Sequence, residues 1–342
     1  MESISPAQHA ALLQSPAATP PPGVESNLIN PPNQRAVSIF VILFLGILTS
    51  LALTIRLYTR VVLLHRMKLV DYSLLLSWAS FIAYLISAWL AGSIAPLVDQ
   101  WNLRNQDYIT LLFYFYLAHA LYGISMLFIK LSLLLNILEL FTPLHQKTTL
   151  YKACHLIIWT NSTFYLLFII LQLFSCHPVS KSWDILIPHG VCLNTEVIDL
   201  VAGAINTTSD LIIFTLPQIR IWGLQMNLRK KLAVSGLFSL GLLACAASIL
   251  RLIHSIWVLV SANKSYYEYF CVLWMMGEMG FGIMVGCFPL LPRFVRHVRE
   301  TIFALKRRGV LDGGDVRVGG KGDVAGEQDM EILLVSVGKD RG

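Results

Sequence analysis

The sequence predicts an all-α, polytopic membrane protein, a bundle of seven transmembrane helices with its N-terminus outside and its C-terminus in the cytoplasm. Three observations carry that expectation. Seven apolar runs reach the roughly 20 residues that a helix needs to cross a hydrocarbon core about 30 Å thick. Basic residues gather after the odd-numbered runs. The composition, 56% hydrophobic against 13% charged with a mean hydropathy of +0.64, is too apolar for an ordinary soluble domain.

Residues 1–36 hold seven prolines, Pro6, Pro16, Pro20, Pro21, Pro22, Pro31 and Pro32, among few large apolar side chains, so they are expected to form a disordered extracellular arm. The membrane domain is expected over 37–300. Its spans read Val37–Leu57, Val70–Leu90, Tyr108–Leu135, Cys154–Phe174, Val197–Pro217, Leu232–Val260 and Tyr269–Leu291. The third and sixth are long enough to tilt or to continue past the bilayer. Residues 301–342, basic at first and then rich in glycine and charge, are expected to be a disordered cytoplasmic tail.

Counting Lys and Arg outside the apolar runs sets the orientation. As far as Arg308, the stretches that follow spans one, three, five and seven hold sixteen, counting Arg56 at the end of span one, from Arg56, Arg60, Arg66 and Lys68 through Arg229, Lys230 and Lys231 to Arg308. The other side holds four: Arg35, Arg104, Lys181 and Lys264. Basic residues stay on the cytoplasmic side. The net charge of +6 is therefore topological, and it marks no nucleic-acid partner.

Charge inside a membrane is costly and tends to mark function. In span five Asp199, Gly203, Asn206, Asp210 and Pro217 share one helical face that lipid will not accept. Span three aligns His119, Gly123, Met126 and Lys130. Lys130 is expected to snorkel to the interface or to meet Asp71 at the start of span two. Span six aligns Gly241, Ala244, Ser248, Arg251 and Ser255, and span seven carries Trp274, Glu278, Gly282, Gly286 and Pro289. The expected pairings are Arg251 with Glu278 or Asp199, and Asp210 in one polar network with Asn206 and His119. Gly282 and Gly286, four apart, suit close helix packing.

Cys176 and Cys192 bound one outward loop, where a disulfide, which an oxidising compartment permits, is expected in preference to free thiols. Of the sequons, those at Asn161 and Asn206 fall inside spans, and that at Asn263 falls in a very short loop. The last span has no lysine for a retinal Schiff base. Phosphate-loop, zinc-protease and nucleophile-elbow motifs are missing, and His155, His177 and His189 lack metal-ligand spacing, so neither cofactor nor metal is expected.

Several spaced positions then form a recognisable order. They are Phe174, Cys176 and Pro178, then Trp183 and Cys192, Asp210 and Pro217, Leu224-Gln225 before Lys230-Lys231, Gly241, Arg251, Trp274 with Glu278, and Cys287-Phe-Pro-Leu-Leu-Pro292. Over residues 35–300 the chain resembles the fungal rhodopsin-like integral membrane domain family, which includes Pth-type receptors and a satratoxin-cluster membrane protein. Asp71 and Lys130 also stand where that family keeps an acidic residue and a lysine. The family's acidic-acidic-Trp motif appears here only as Asp71-Tyr72, and the N-terminal arm lacks the cysteine-rich module of some receptor members.

The resemblance implies a seven-helix domain embedded in the lipid bilayer of the plasma membrane or an endomembrane. It also implies a receptor-like sensor of a small-molecule ligand, coupled to a heterotrimeric G protein. Two other classes stay open: an accessory protein or enzyme of a secondary-metabolite pathway using Glu278, Asp210 or His119 as acid or base, and a small-solute transporter.

Overall fold

A computed structural model describes residues 6–141, 149–221 and 228–307, with side chains described for 7–140, 149–218 and 236–303. Seven helices in it are long and apolar enough to cross a membrane: Arg35–Leu63, Leu69–Ile94, Asn105–Leu140, Thr149–Leu173, Thr195–Gln218, Gly236–Val260 and Lys264–Phe303. All seven expected spans are therefore present. The third lies within α4 (Asn105–Phe141), a helix of 37 residues. At about 1.5 Å per residue it is roughly 55 Å long, more than the bilayer is thick.

The chain divides into two compact units, Met1–Phe294 and Val295–Gly342. In the first, α3 (Leu69–Ile94) packs along α4, and α8 (Lys264–Cys287) packs along α7 (Leu228–Val260) while also touching α2 (Arg35–Tyr58), α3 and α4. Helix α8 is the most enclosed, with 67% of its apolar window buried against 22–50% for the other six spans.

Its composition explains why. Association of helices in lipid rests on close van der Waals packing, which small residues permit. A methyl group at Gly282 would lie 2.8 Å from Ile129 Cγ2, and one at Gly286 would lie 2.8 Å from Leu74 Cδ2. Along the same helix the buried Met275, Met276, Met279 and Met284 supply flexible thioethers that suit irregular gaps.

The face of the bundle that carries the N-terminus is built of hydrogen-bonded loops. The arm expected to be disordered departs from that expectation over its described residues. Helix α1 (Pro6–Gln14) and the segment after it lie on the connection between α3 and α4. Ala17 N–H donates to Leu103 O at 2.8 Å, Asn27 N–H to Asn102 Oδ1 at 2.9 Å, and Gln34 N–H to Pro96 O at 3.0 Å. These contacts run through the backbone, which leaves no apolar periodicity in the sequence to reveal them. Asn263, whose sequon lies in the short loop before α8, donates to Asp99 Oδ1 at 2.7 Å and accepts from Gln100 N–H at 2.9 Å.

On the same face, β1 (Cys176–His177) pairs with β2 (Val191–Cys192) between α5 (Thr149–Leu173) and α6 (Thr195–Ile221). Trp183 of this loop rests on Phe113 and Tyr116 of α4, with ring centres 5.3 and 5.2 Å apart. In the second unit, the described turns of α9 (Leu291–Arg307) hold an Arg296–Glu300 ion pair at 2.7 Å. The tail after residue 307 lies outside the described residues, as do the side chains of Arg229, Lys230 and Lys231.

Candidate functional site

Three groups of polar side chains follow one another through the bundle. At the face opposite the N-terminus, Asp71 sits in the first turn of α3, where its Oδ2 accepts the Lys68 N–H at 2.9 Å. That places its carboxylate against α2. Arg56 Nη2 reaches Asp71 Oδ1 at 2.7 Å with both side chains fully buried, and Arg60 Nε lies 3.2 Å from Oδ2. Arg56 also donates to the Gly286 carbonyl of α8 at 2.5 Å. Glu139 of α4 extends the cluster outward to Lys68, at 2.6 Å. Tyr72, in the position after Asp71, is 53% exposed, so the sequence departs from the family motif on the side that faces away from the cluster.

The second group lies deeper. Lys130 of α4 pairs with Asp210 of α6 at 2.9 Å, and Arg251 of α7 pairs with Glu278 of α8 at 3.3 Å. Asn206 joins the two pairs, because its Nδ2 lies 3.2 Å from Asp210 Oδ2, 3.1 Å from Ser248 Oγ and 2.5 Å from Glu278 Oε1. An amide nitrogen has two hydrogens, so two of these three acceptors are served at a time. Tyr165 donates to Asn206 Oδ1, and Tyr122 donates to Glu278 at 3.1 Å. The guanidinium lies over the Tyr122 ring at 5.3 Å. It fits there because Gly203 has no side chain: a methyl at that position would sit 3.2 Å from Arg251 Nη1. Two cations face two carboxylates, so the group is balanced in charge, as burial in a low dielectric requires.

The third group lines a cavity of about 160 Å³ that reaches the residues of the N-terminal face. His119 Nδ1 donates to the Phe115 carbonyl at 2.9 Å, which turns Nε2 toward Glu268 at 3.2 Å and Asp199 at 3.7 Å. Gln172 donates to Asp199, and Lys264 pairs with Glu196 at the rim. Asp199 also borders a void of about 10 Å³ shared with Arg251, Asn206 and Tyr122. That is room for about one water molecule. A second cavity, about 130 Å³ and mostly apolar, begins on the other side of the central group, where Lys130, Asp210 and Glu278 form its polar end.

The sequence-predicted residues divide accordingly. Arg251 pairs with Glu278, one of its two expected partners, and Asp210 joins Asn206. His119 does not join them. It lies eleven residues before Lys130, about 16 Å away along the helix, and so belongs to the cavity on the N-terminal side. Nor does Lys130 snorkel or meet Asp71. Asn136 is the α4 residue level with Arg56, 3.5 Å from its Nη2. Lys130 lies roughly 9 Å further along α4 than Asn136. It is 1% exposed and held by Asp210.

Glu268, Tyr122, Tyr165 and Gln172 escaped the sequence reading. Glu268 falls one residue before the apolar run taken as span seven, and the tyrosines count as hydrophobic in any periodicity. One signal was present: Lys264, Glu268 and Cys271 recur at helical spacing ahead of Glu278.

Cys176 and Cys192 form the expected disulfide. It ties the loop whose Ser175 and Ser182 line the cavity on the N-terminal side. With a sequence separation of 16, chain entropy assigns it roughly 3 kcal/mol. Cys192→Ser is expected to lower stability by about that amount in denaturant titration, with no further loss when reductant is added. A midpoint that reductant lowers equally in wild type and variant would disprove this.

The profile of the fungal rhodopsin domain matches residues 55–297. Over 287 residues the chain is 28% identical to the fugralins biosynthesis cluster protein 2 of Gibberella zeae, covering 83% of this chain and 71% of the relative. It is 38% identical over 180 residues to a SAT4 family membrane protein of Emericella nidulans, covering 53% and 45% of the two chains. Over 172 residues it is 22% identical to the satratoxin biosynthesis SC1 cluster protein 4 of Stachybotrys chartarum, covering 50% and 61%.

Proposed function

The chain belongs to the fungal rhodopsin domain family, and from that premise we propose that it is a receptor-like sensor of a small ligand, set with its N-terminal face outward. It is a multi-pass membrane protein. The observation that carries the reading is the position of Asp199, which lines the outer cavity and also borders the void beside Arg251. A ligand that donates a hydrogen bond to Asp199 changes the field at Arg251, whose partner Glu278 lies at the end of the second cavity. The buried pairs offer alternative arrangements, because Asn206 satisfies only two of its three acceptors at once. Coupling of this kind requires an element that both sites bias. A heterotrimeric G protein at the opposite face completes the reading.

The test is a G-protein reporter strain expressing the chain, exposed to fractionated culture extracts. A responding fraction is expected to lose its effect with Glu278→Gln while surface expression stays unchanged. A fraction that drives the reporter equally through both chains would sink the proposal.

A second reading has its own support. Two of the relatives are named for biosynthesis clusters, which favours an accessory or catalytic role in a secondary-metabolite pathway. Deletion of the gene with untargeted metabolite profiling separates the two: a pathway member leaves an accumulated intermediate, and a sensor changes whole sets of products together.

A further inference from the structure

The outer cavity has a charge that its own residues leave unbalanced. His119 Nδ1 faces a carbonyl, which only accepts, so Nδ1 carries a hydrogen. Nε2 then faces two carboxylates, Glu268 at 3.2 Å and Asp199 at 3.7 Å, and a proton must lie between them and the ring. Wherever that proton resides, the trio sums to one negative charge. Lys264 and Glu196 cancel each other at the rim, and no other described ionisable side chain except tyrosine and cysteine lines the cavity. The central group beyond the void is already neutral, so it offers no spare cation. The Asp199 and Glu268 side chains are only 21% and 19% exposed, and an uncompensated charge so far withdrawn from water is costly.

Two further observations point to an occupant that donates hydrogen bonds. Among the described residues, Glu268 Oε1 makes no polar contact other than the one at 3.2 Å to His119 Nε2, which Asp199 shares, so it has capacity to accept from an occupant. Ser265 Oγ, on a residue only 4% exposed, also lacks a partner and lines the same cavity. The walls add Tyr108, Phe115 and Tyr116, and aromatic faces attract cations. A cavity of about 150 Å³ accepts a benzene ring, so this one, at about 160 Å³, has room for one ring or its equivalent. No group of three His, Cys, Asp or Glu side chains among the described residues is arranged to hold a metal ion.

From these we infer that the cavity binds a small organic monocation, a protonated amine carried on a body about the size of one ring, with Glu268 and Asp199 receiving its N–H groups. The inference deepens the sensor reading and rests on it for its meaning, while the binding itself can be tested alone.

Three probes share one ring and differ in charge: benzylamine, benzyl alcohol and benzoate. Each is titrated calorimetrically into the full chain purified in dodecyl maltoside, which carries neither charge nor amine. Benzylamine is expected to bind at least tenfold more tightly than benzyl alcohol, with benzoate weaker still. Glu268→Gln is expected to weaken benzylamine at least tenfold and to remove the preference over the alcohol. Leu112→Trp, which fills the cavity without touching a charge, is expected to abolish binding of both and keeps the test valid if the first variant does not fold.

Equal binding of amine and alcohol, tighter binding of benzoate, no binding of any probe, or benzylamine affinity that survives both variants would overturn the inference. Competition by added phosphatidylethanolamine would assign the cation to a lipid headgroup, and its lack of effect would assign it to a free amine; both support the class. Hydrogen exchange at residues 56–71 separates this inference from the sensor reading. If benzylamine binds and exchange there stays unchanged, the site stands and the sensor reading falls. If the alcohol binds best and exchange changes, the reverse holds.

Discussion

Asp71→Asn is expected to lower stability by about 3–5 kcal/mol, the usual loss when one partner of a buried ion pair is removed. The carboxylate is fully buried against Arg56, and Arg60 lies beside it, so the substitution leaves two adjacent guanidiniums with no buried anion between them. Asparagine keeps the size and can still accept the Lys68 N–H, so little of the loss arises from packing or from the start of α3. Glu139→Gln is the matched control. It breaks a pair with Lys68 whose side chains are 35% and 46% exposed and a looser one with Arg60 at 3.4 Å, while Asp71 stays beside Arg60, and such partly exposed pairs are worth about 0–1 kcal/mol. Unfolding by sodium dodecyl sulfate in mixed micelles ranks the two. Equal losses would mean that the Asp71 cluster is a surface feature in solution.

Arg251→Ala is the second large effect, again about 3–5 kcal/mol, and its cause can be separated from hydrogen bonding by magnitude. Hydrogen bonds between transmembrane helices average about 0.6 kcal/mol in double-mutant cycles. Glu278 keeps its bonds from Tyr122 and Asn206 when Arg251 is removed. A loss several times that average therefore measures a carboxylate left without its cation. The double variant Arg251→Met with Glu278→Gln removes both charges and is expected to recover most of the loss, since an apolar replacement of a whole buried pair is often neutral. Its coupling energy should exceed 1 kcal/mol, on the order of that seen for residues in contact. Additive single effects would show that the two side chains do not meet.

Much of the architecture was legible in the sequence. Seven apolar runs returned as seven helices, with ends displaced by a few residues, since hydropathy marks where lipid lies and says little about where a helix stops. The face of span five that carries Asp199, Asn206 and Asp210 was legible too, because the helical period alone determines which side chains share a side. The family resemblance rested on the same spaced positions.

Partners were harder. The sequence placed Lys130 at the interface or with Asp71, and His119 with Asp210, whereas Lys130 meets Asp210 and His119 faces Glu268 and Asp199, a difference of depth along the bundle. Periodicity specifies the angle around a helix axis, whereas a contact also needs two residues on different helices to reach the same level. That level depends on tilt, on the close approaches at Gly282 and Gly286, and on how far α4 extends past the bilayer. Glu268 was missed for a related reason. An apolar window places a polar residue at its edge in a loop, and only the continuation of α8 to Lys264 turned it inward.

The sequence by itself determined the number of helices, the scarcity of charge within them and the loop that two cysteines close, because each of these is a local property of chain composition and order. Only the tertiary structure decided which charges neutralise each other and which cavity is left one positive charge short, because electrostatic balance depends on distances between helices far apart in the chain.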